Sequence, residues 1–276
     1  MTGAAARFDY EAYLAQFLTG DDDGLVERFF AEDCAMITGS GEFIGHAGMR
    51  AFLAKAHDGV RECPRVQHYL QDEHNVLAEI DMDFHATKHR PDFPFGEMFP
   101  GDSLTVKFLA RYELDTAQKV RRLITMAWPA GREVTTLPPL GAHPSQIAAY
   151  HAYAAAFSAG DPARYTRFYC GDVVLELPSV GRFEGAQAIA DFYSAMFERV
   201  VETLTVHRLD ASDEAIVVDC TSRFTAVADA SDFVVGALAK GEHVDVRVQV
   251  TYRLREGYID HIQVARAGEP VFSDAR

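Results

Sequence analysis

Basic residues are scarce in this chain. Its 26 Lys and Arg face 41 Asp and Glu, a net charge of −15 at neutral pH over 276 residues. A field of that sign opposes phosphate backbones and anionic lipid, so no nucleic-acid partner and no membrane partner is expected. Cysteine is also sparse. Cys34, Cys63, Cys170 and Cys220 form no CxxC and no Cys/His pair at zinc spacing, which predicts reduced thiols acting as small apolar residues and no metal. No run of about 18 apolar residues is present to span a bilayer. The first residues, MTGAAARFDYEAYLAQF, hold neither a basic leader nor a long apolar core, and the expectation is a cytoplasmic protein. HExxH, GxGxxG and GxxxxGK[ST] are missing, so no cofactor is expected.

What remains is 48% apolar and 24% charged, an ordinary globular composition with ample material for a core. The chain is also written twice. Tyr13, Phe17, Gly20 and Asp21 recur 140 positions later as Tyr153, Phe157, Gly160 and Asp161. The same offset carries Phe43, Gly45 and Phe52 onto Phe183, Gly185 and Phe192, and Val106, Tyr112 and Leu114 onto Val246, Tyr252 and Leu254. One slip is read between them: HYL from His68 answers HRL from His207, at an offset of 139. Ordered matches of this kind indicate a duplicated unit. The reading is one domain over 1–131, a linker over 132–140 within the Gly-, Pro- and Thr-rich GREVTTLPPLGAHP, and a second domain over 141–276.

Each half follows one plan. Tyr10, Tyr13, Leu14, Phe17 and Leu18 stand at helical spacing, TGDDDG ends that helix, and a second helix runs to Phe29 and Phe30. A strand and turn follow, and then a third helix with Met49, Phe52, Leu53 and Ala56 on one stripe. Beyond it the period becomes two, as in Val76, Ala78, Ile80, Met82 and Phe84, which predicts half-buried antiparallel strands.

The segment YLAQFLTGDDDGLVERFFAEDCAMITGSGEFIGHAG, answered by YAAAFSAGDPARYTRFYCGDVVLELPSVGRFEG, resembles the opening of nuclear transport factor 2-like proteins, in their SnoaL-like branch. That resemblance implies an α+β fold of tandem cone-shaped domains, each with about three N-terminal helices on a strongly curved mixed or antiparallel sheet around an apolar pocket. It also implies an intrachain pseudo-dimer, with further homo-oligomerisation open. Members of that superfamily range from ketosteroid isomerases, dehydratases and polyketide cyclases to non-catalytic binding modules, so the fold does not fix the function. Some, including lyases of lignin-derived aromatic dimers, work without a cofactor.

Candidate site residues come from the first half. By the resemblance, Tyr13 falls where ketosteroid isomerases place an oxyanion-hole tyrosine, whereas Thr38 and Leu177 replace their base aspartate and Ala110 and Val250 their second one. His68 begins the HYL segment on the second strand, where SnoaL-like proteins often carry a cavity histidine. Glu79, Asp81, Asp83 and His85 share one strand face. Either Asp81 orients His85 as a general base, or this acidic stripe meets a partly basic one (Arg223 answers Asp83) across a seam, or it faces solvent. Tyr112 and Trp128 would wall the pocket, with Met36 and Thr38 also lining it. The segment HRPDFPFGEMFPGD, with Phe95 and Phe99, reads as a lid over that pocket or a buckle against the other repeat. Arg266, matched to Trp128, implies a carboxylated ligand or an exposed strand end. The expectation is a lyase or isomerase that uses acid–base chemistry on a small hydroxylated aromatic compound, by dehydration or retro-aldol cleavage. Its site would be in the aromatic-rich first half, and the alternative is a non-catalytic small-molecule-binding or scaffold protein.

Overall fold

The computed structural model describes residues 7–129, 131–178 and 180–273. Asp9 starts α1 (Tyr10–Thr19) by accepting from the Ala12 amide, and Gly20 ends it with φ 77°, returning its own N–H to Phe17 O. Only glycine takes that left-handed cap without strain. Asp21 caps α2 (Asp22–Phe29) in the same way through the Gly24 amide. The chain then forms β1 (Phe30–Thr38), β2 (Gly41–Ile44) and α3 (Gly45–Ala56), followed by four long strands: β3 (Val60–Gln71), β4 (Asn75–Ala86), β5 (Ser103–Leu114) and β6 (Val120–Ala127). The hydrogen-bonded order is β2-β1-β6-β5-β4-β3, antiparallel except for β1 beside β6.

The second half repeats this plan. Pro144 at the first turn and a capping box between His143 and Gln146 begin α4 (Pro144–Ser158), in accord with the helix-start preferences of those positions. Next come α5 (Pro162–Tyr165) with a short 3-10 turn, β7 (Tyr169–Leu177), β8 (Gly181–Glu184) and α6 (Ala186–Phe197). The long strands are β9 (Val200–Ala211), β10 (Ala215–Ala226), β11 (His243–Arg255) and β12 (Tyr258–Arg266), with a short β13 (Val271–Phe272) on β11. Their order, β8-β7-β12-β11-β10-β9, is that of the first sheet. The chain thus has an α+β architecture of two helix-and-sheet units, an apparent tandem duplication.

One expectation is overturned. The sheets are neither cone-shaped nor strongly curved: each is an open path whose end strands, β2 and β3 or β8 and β9, do not pair with each other. Strong bending and closure need bulges or glycine kinks placed across the strands and a consistent shear. No glycine occurs within the long strands of either unit, β4 runs against β5 in unbroken register from Asn75 to His85, and the β3–β4 and β9–β10 pairings carry only one register shift each.

The compact units also divide the chain at places the sequence does not announce. One comprises residues 1–97 and 103–136, the other residues 98–102 and 137–276. Met98–Asp102 is therefore a buckle built into the second unit, where Gly101 (φ 91°) lies against α4 so closely that a Cβ would come within 2.7 Å of Ala156 Cβ. Phe99 stacks under the Arg164 guanidinium, 4.3 Å from its ring centre.

A further correction concerns register. The extra residue in β3 is Gln67, between Val66 opposite Ile80 and His68 opposite Glu79. In β9 it is His207, between Val206 opposite Cys220 and Arg208 opposite Asp219. His68 therefore answers Arg208, and the HYL/HRL slip is not real. Similarly, Phe108 pairs with Ala127 while Val248 pairs with Arg266, so Arg266 answers Ala127 rather than Trp128.

Candidate functional site

A ligand-sized, largely apolar hollow lies in the second unit. It has a volume of about 330 Å³ and lies between α4, α6 and the inner face of the second sheet, at the small end of the usual range for small-molecule sites. Alternation along the strands decides what faces it. Val246, Val248, Val250 and Tyr252 come from β11, and Ile262, Val264 and Arg266 from β12; Tyr153 and Phe157 project from α4, and Tyr193 and Met196 from α6. Val180 and Val234, 41% and 56% exposed, mark its mouth together with Arg266.

Two polar features stand inside. The first is a pair of phenols, Tyr153 and Tyr169, whose hydroxyls are 3.1 Å apart. Burial pushes the Tyr153 hydroxyl well above its ordinary range, assisted by the neighbouring Tyr169, so these groups stay protonated and can donate hydrogen bonds. The second is Glu202, only 8% exposed. Burial raises its carboxyl pKa to about 7, against a smaller opposing influence of the Ser222 hydroxyl. Glu202 is also near enough to Tyr193 for its charge to raise that phenol further, after burial itself. A carboxyl poised near neutrality among apolar walls is suited to both accepting and returning a proton.

The first unit has the same plan with bulkier side chains at matching positions. Ser222, Val235 and Val248 answer Met82, Phe95 and Phe108 at the 140 offset. Phe84 packs against Phe93, Phe95 and Phe108 at 5.1, 5.6 and 6.4 Å between ring centres. The carboxylate is repeated as well, since Glu62 answers Glu202, but there His57 stands beside it, with Nε2 3.9 Å from Glu62 and Nδ1 2.8 Å from Asp22. In the second unit those partners are Phe197 and Pro162, which leaves Glu202 without a neighbouring cation from either position.

The residues singled out from sequence fall into separate places. Tyr13 and Tyr112 touch, with ring centres 5.4 Å apart, inside the aromatic core of the first unit. Met36 belongs to that core, while Thr38 bonds Ser40 at the strand end. His68 is exposed, because the Gln67 bulge turns it onto the opposite face from Val66. Trp128 is 37% exposed and follows the last residue of β6. Phe95 is in the first unit and Phe99 in the second, so they do not form one lid over a first-unit pocket.

Asp81 and His85 lie on the far face of the first sheet, away from Ile80, Met82 and Phe84, and they do not act as a dyad. Asp81 accepts from the Thr135 amide at 2.7 Å and has Lys107 Nζ at 3.2 Å. Arg65 grips Asp83 with two bonds of 2.6 and 3.0 Å and donates to Thr135 O at 2.6 Å. His85 Nδ1 is instead 2.8 Å from Ser103 Oγ. Burial lowers its pKa to about 4, with Asp83 opposing and Arg65 reinforcing that shift. Folded His85 is thus neutral where an unfolded histidine is charged. Its stabilising contribution is full above pH 6.5 and falls as the pH drops towards 4, by about 3 kcal/mol. His85→Asn is expected to flatten this part of the acid limb in melting curves taken between pH 7 and 4; an unchanged slope would refute the assignment.

Sequence reasoning missed Glu202 and Ser222. The signal for Glu202 was present, because Glu62 and Glu202 match at the repeat offset and sit on the apolar face of their strands. Among the described residues, no group of three or more His, Cys, Asp and Glu side chains could hold a metal ion, and no helix is long and apolar enough to cross a membrane.

Residues 150–262 match the family model for the SnoaL-like domain. Among solved structures, a SnoaL-like polyketide cyclase from Agrobacterium tumefaciens is 18% identical, with 43% of this chain and 87% of that one covered and a TM-score of 0.35. An LEH-like epoxide hydrolase from M. tuberculosis is also 18% identical, over 41% and 76% of the two chains, with a TM-score of 0.34. A Catenulispora acidiphila protein with a ketosteroid isomerase-like fold, in complex with trimethylamine, is 12% identical over 41% and 80%, with a TM-score of 0.34. Comparison with curated proteins finds no match. Residues 150–262 of the second unit are thus similar to the SnoaL-like domain, and the first unit repeats the strand order of the second in an apparent tandem duplication.

Proposed function

We propose that the second unit is an acid–base enzyme, a lyase or isomerase acting on a small hydroxylated aromatic compound, with Glu202 as its proton-transfer group. The observation that carries this reading is a nearly buried carboxyl, poised near pH 7, in the wall of a 330 Å³ apolar chamber. The carboxylate form of Glu202 accepts a proton from the substrate and the acid form returns one, so an isomerisation leaves the enzyme unchanged. In a dehydration, the acid form protonates the departing hydroxyl and releases it as water, while a para-hydroxyl on the substrate supplies the electron pair and passes its proton to water, from which the Glu202 carboxylate is reprotonated. The Tyr153–Tyr169 pair is placed to donate to oxygen that gains negative charge. The aromatic walls suit a flat ring.

This reading takes the second unit as the site, because Met82, Phe95 and Phe108 of the first unit are bulkier than the Ser222, Val235 and Val248 that answer them. The test is a mass-resolved screen of hydroxylated aromatic compounds against wild type and Val248→Phe, a change that copies the first unit's Phe108. Compounds consumed by wild type are expected to survive with the plugged variant. Turnover that persists in Val248→Phe would overturn the location. Saturable binding by wild type with no turnover of any compound would establish the alternative, a small-molecule-binding protein.

A further inference from the structure

The chamber has one cationic lining residue, and its placement is not used by the proton transfer. On β12, Ile262, Val264 and Arg266 alternate onto the inner face, and Arg266, the last residue of the strand, reaches the mouth in an exposed position. Among the described residues, no carboxylate lies within 4.0 Å of its guanidinium. Three other arginines of the same sheet are paired, Arg223 on Asp245, Arg253 on Asp260 and Arg255 on Asp172, while the exposed Arg247 alternates with Val246 and Val248 on β11 and is not among the residues lining the chamber. The first unit has Ala127 at the equivalent position. The cation therefore stands in the copy that holds this apolar chamber, and the other copy lacks it at the matching position.

We propose that Arg266 receives a carboxylate of the ligand, so that the compound bound in the second unit is an aromatic monocarboxylate, held by its acid group at the mouth with its ring among the valines. The inference rests on the second-unit chamber being the binding site. A planar guanidinium matches a carboxylate with two parallel bonds. The rest of the molecule supplies no general attraction for an anion, since the chain's net charge is −15, so selectivity for an acid requires a local cation. The arrangement also keeps the ligand's charge at the rim and leaves the interior polar groups, Glu202 and the phenols, for the neutral part of the molecule, where chemistry takes place.

The experiment is calorimetric titration of the full chain with matched pairs: benzoate and benzamide, cinnamate and cinnamamide, 2-naphthoate and 2-naphthamide. In wild type at least one acid is expected to bind about tenfold more tightly than its amide, as a charge-assisted pair at a partly solvated rim allows. Raising the salt concentration should narrow the gap. Arg266→Met should erase the gap by weakening the acid alone, and Arg266→Lys should keep part of it. Acids that bind no better than their amides would overturn the inference while leaving the chamber intact. A preference that survives in Arg266→Met but vanishes in Glu202→Gln would also overturn it, by assigning the acid to the interior. If neither acids nor amides bind, both this inference and the chamber as a site for small aromatic compounds fall.

Discussion

Glu202→Gln is expected to make the protein more stable in mild alkali and nearly inactive there. In the unfolded chain this carboxyl ionises near 4.5, whereas in the folded chain it holds its proton to about 7. A group with a raised folded pKa stabilises the fold fully below its unfolded pKa, and that contribution is lost as the pH climbs through the folded value. Above pH 7 the buried charge therefore penalises the native state by about 3 kcal/mol. The isosteric amide removes the ionisation. Urea unfolding at pH 8 should show a gain of about 2–3 kcal/mol for the variant, and at pH 4 close to none. On the substrate found by the screen, turnover should fall about 10²- to 10⁴-fold, the usual size of one proton-transfer group, with binding changed far less. Equal stability differences at both pH values would show that Glu202 does not ionise in the fold, and unimpaired turnover would remove it from the reaction.

The largest purely structural effect is expected at Arg65. Its guanidinium is 8% exposed and holds Asp83, which is 4% exposed, while also anchoring Thr135 through its carbonyl. Asp81, fully buried, depends on the Thr135 amide and on Lys107. Arg65→Met removes a positive partner and leaves a buried carboxylate behind, a loss of about 3–5 kcal/mol. Replacing both partners, as Arg65→Met with Asp83→Leu, should recover much of it, since an apolar pair of similar size avoids burying charge at all. Chemical denaturation of the two single variants and the double variant measures the coupling. A loss under about 1 kcal/mol in Arg65→Met would place the pair in the class of solvated surface bridges.

The helices, the long strands and their duplication were legible in sequence because each depends on local chemistry: Asp caps, a glycine after α1 and period-two apolar strands. The open, weakly bent sheets were not, because curvature reflects where residues are inserted and not which residues alternate. A single inserted residue also put His68 on the wrong face, since every side chain beyond Gln67 changes sides. The proposed site lies in the other repeat from the one the sequence suggested, for a different reason. Aromatic richness at Phe84, Phe93, Phe95 and Phe108 suggested a pocket wall, yet rings facing one another fill the space they line. Volume is a sum over facing positions, so Ser222 and Val248 acquire meaning only when set against Met82 and Phe108. Arg266 was noticed, but its partner was misassigned by one residue until the strand pairing fixed it.

The extra residue in β3 and β9 occupies the same place in both halves, although Gln67 and His207 have no chemistry in common. What the two copies have inherited is therefore a residue count that sets the phase of the strand, and it has outlasted the identities around it. Segments 60–71 and 200–211 are consequently interchangeable in phase, and a hybrid that exchanges them keeps every downstream side chain on its own face, whereas deletion of Gln67 or His207 does not.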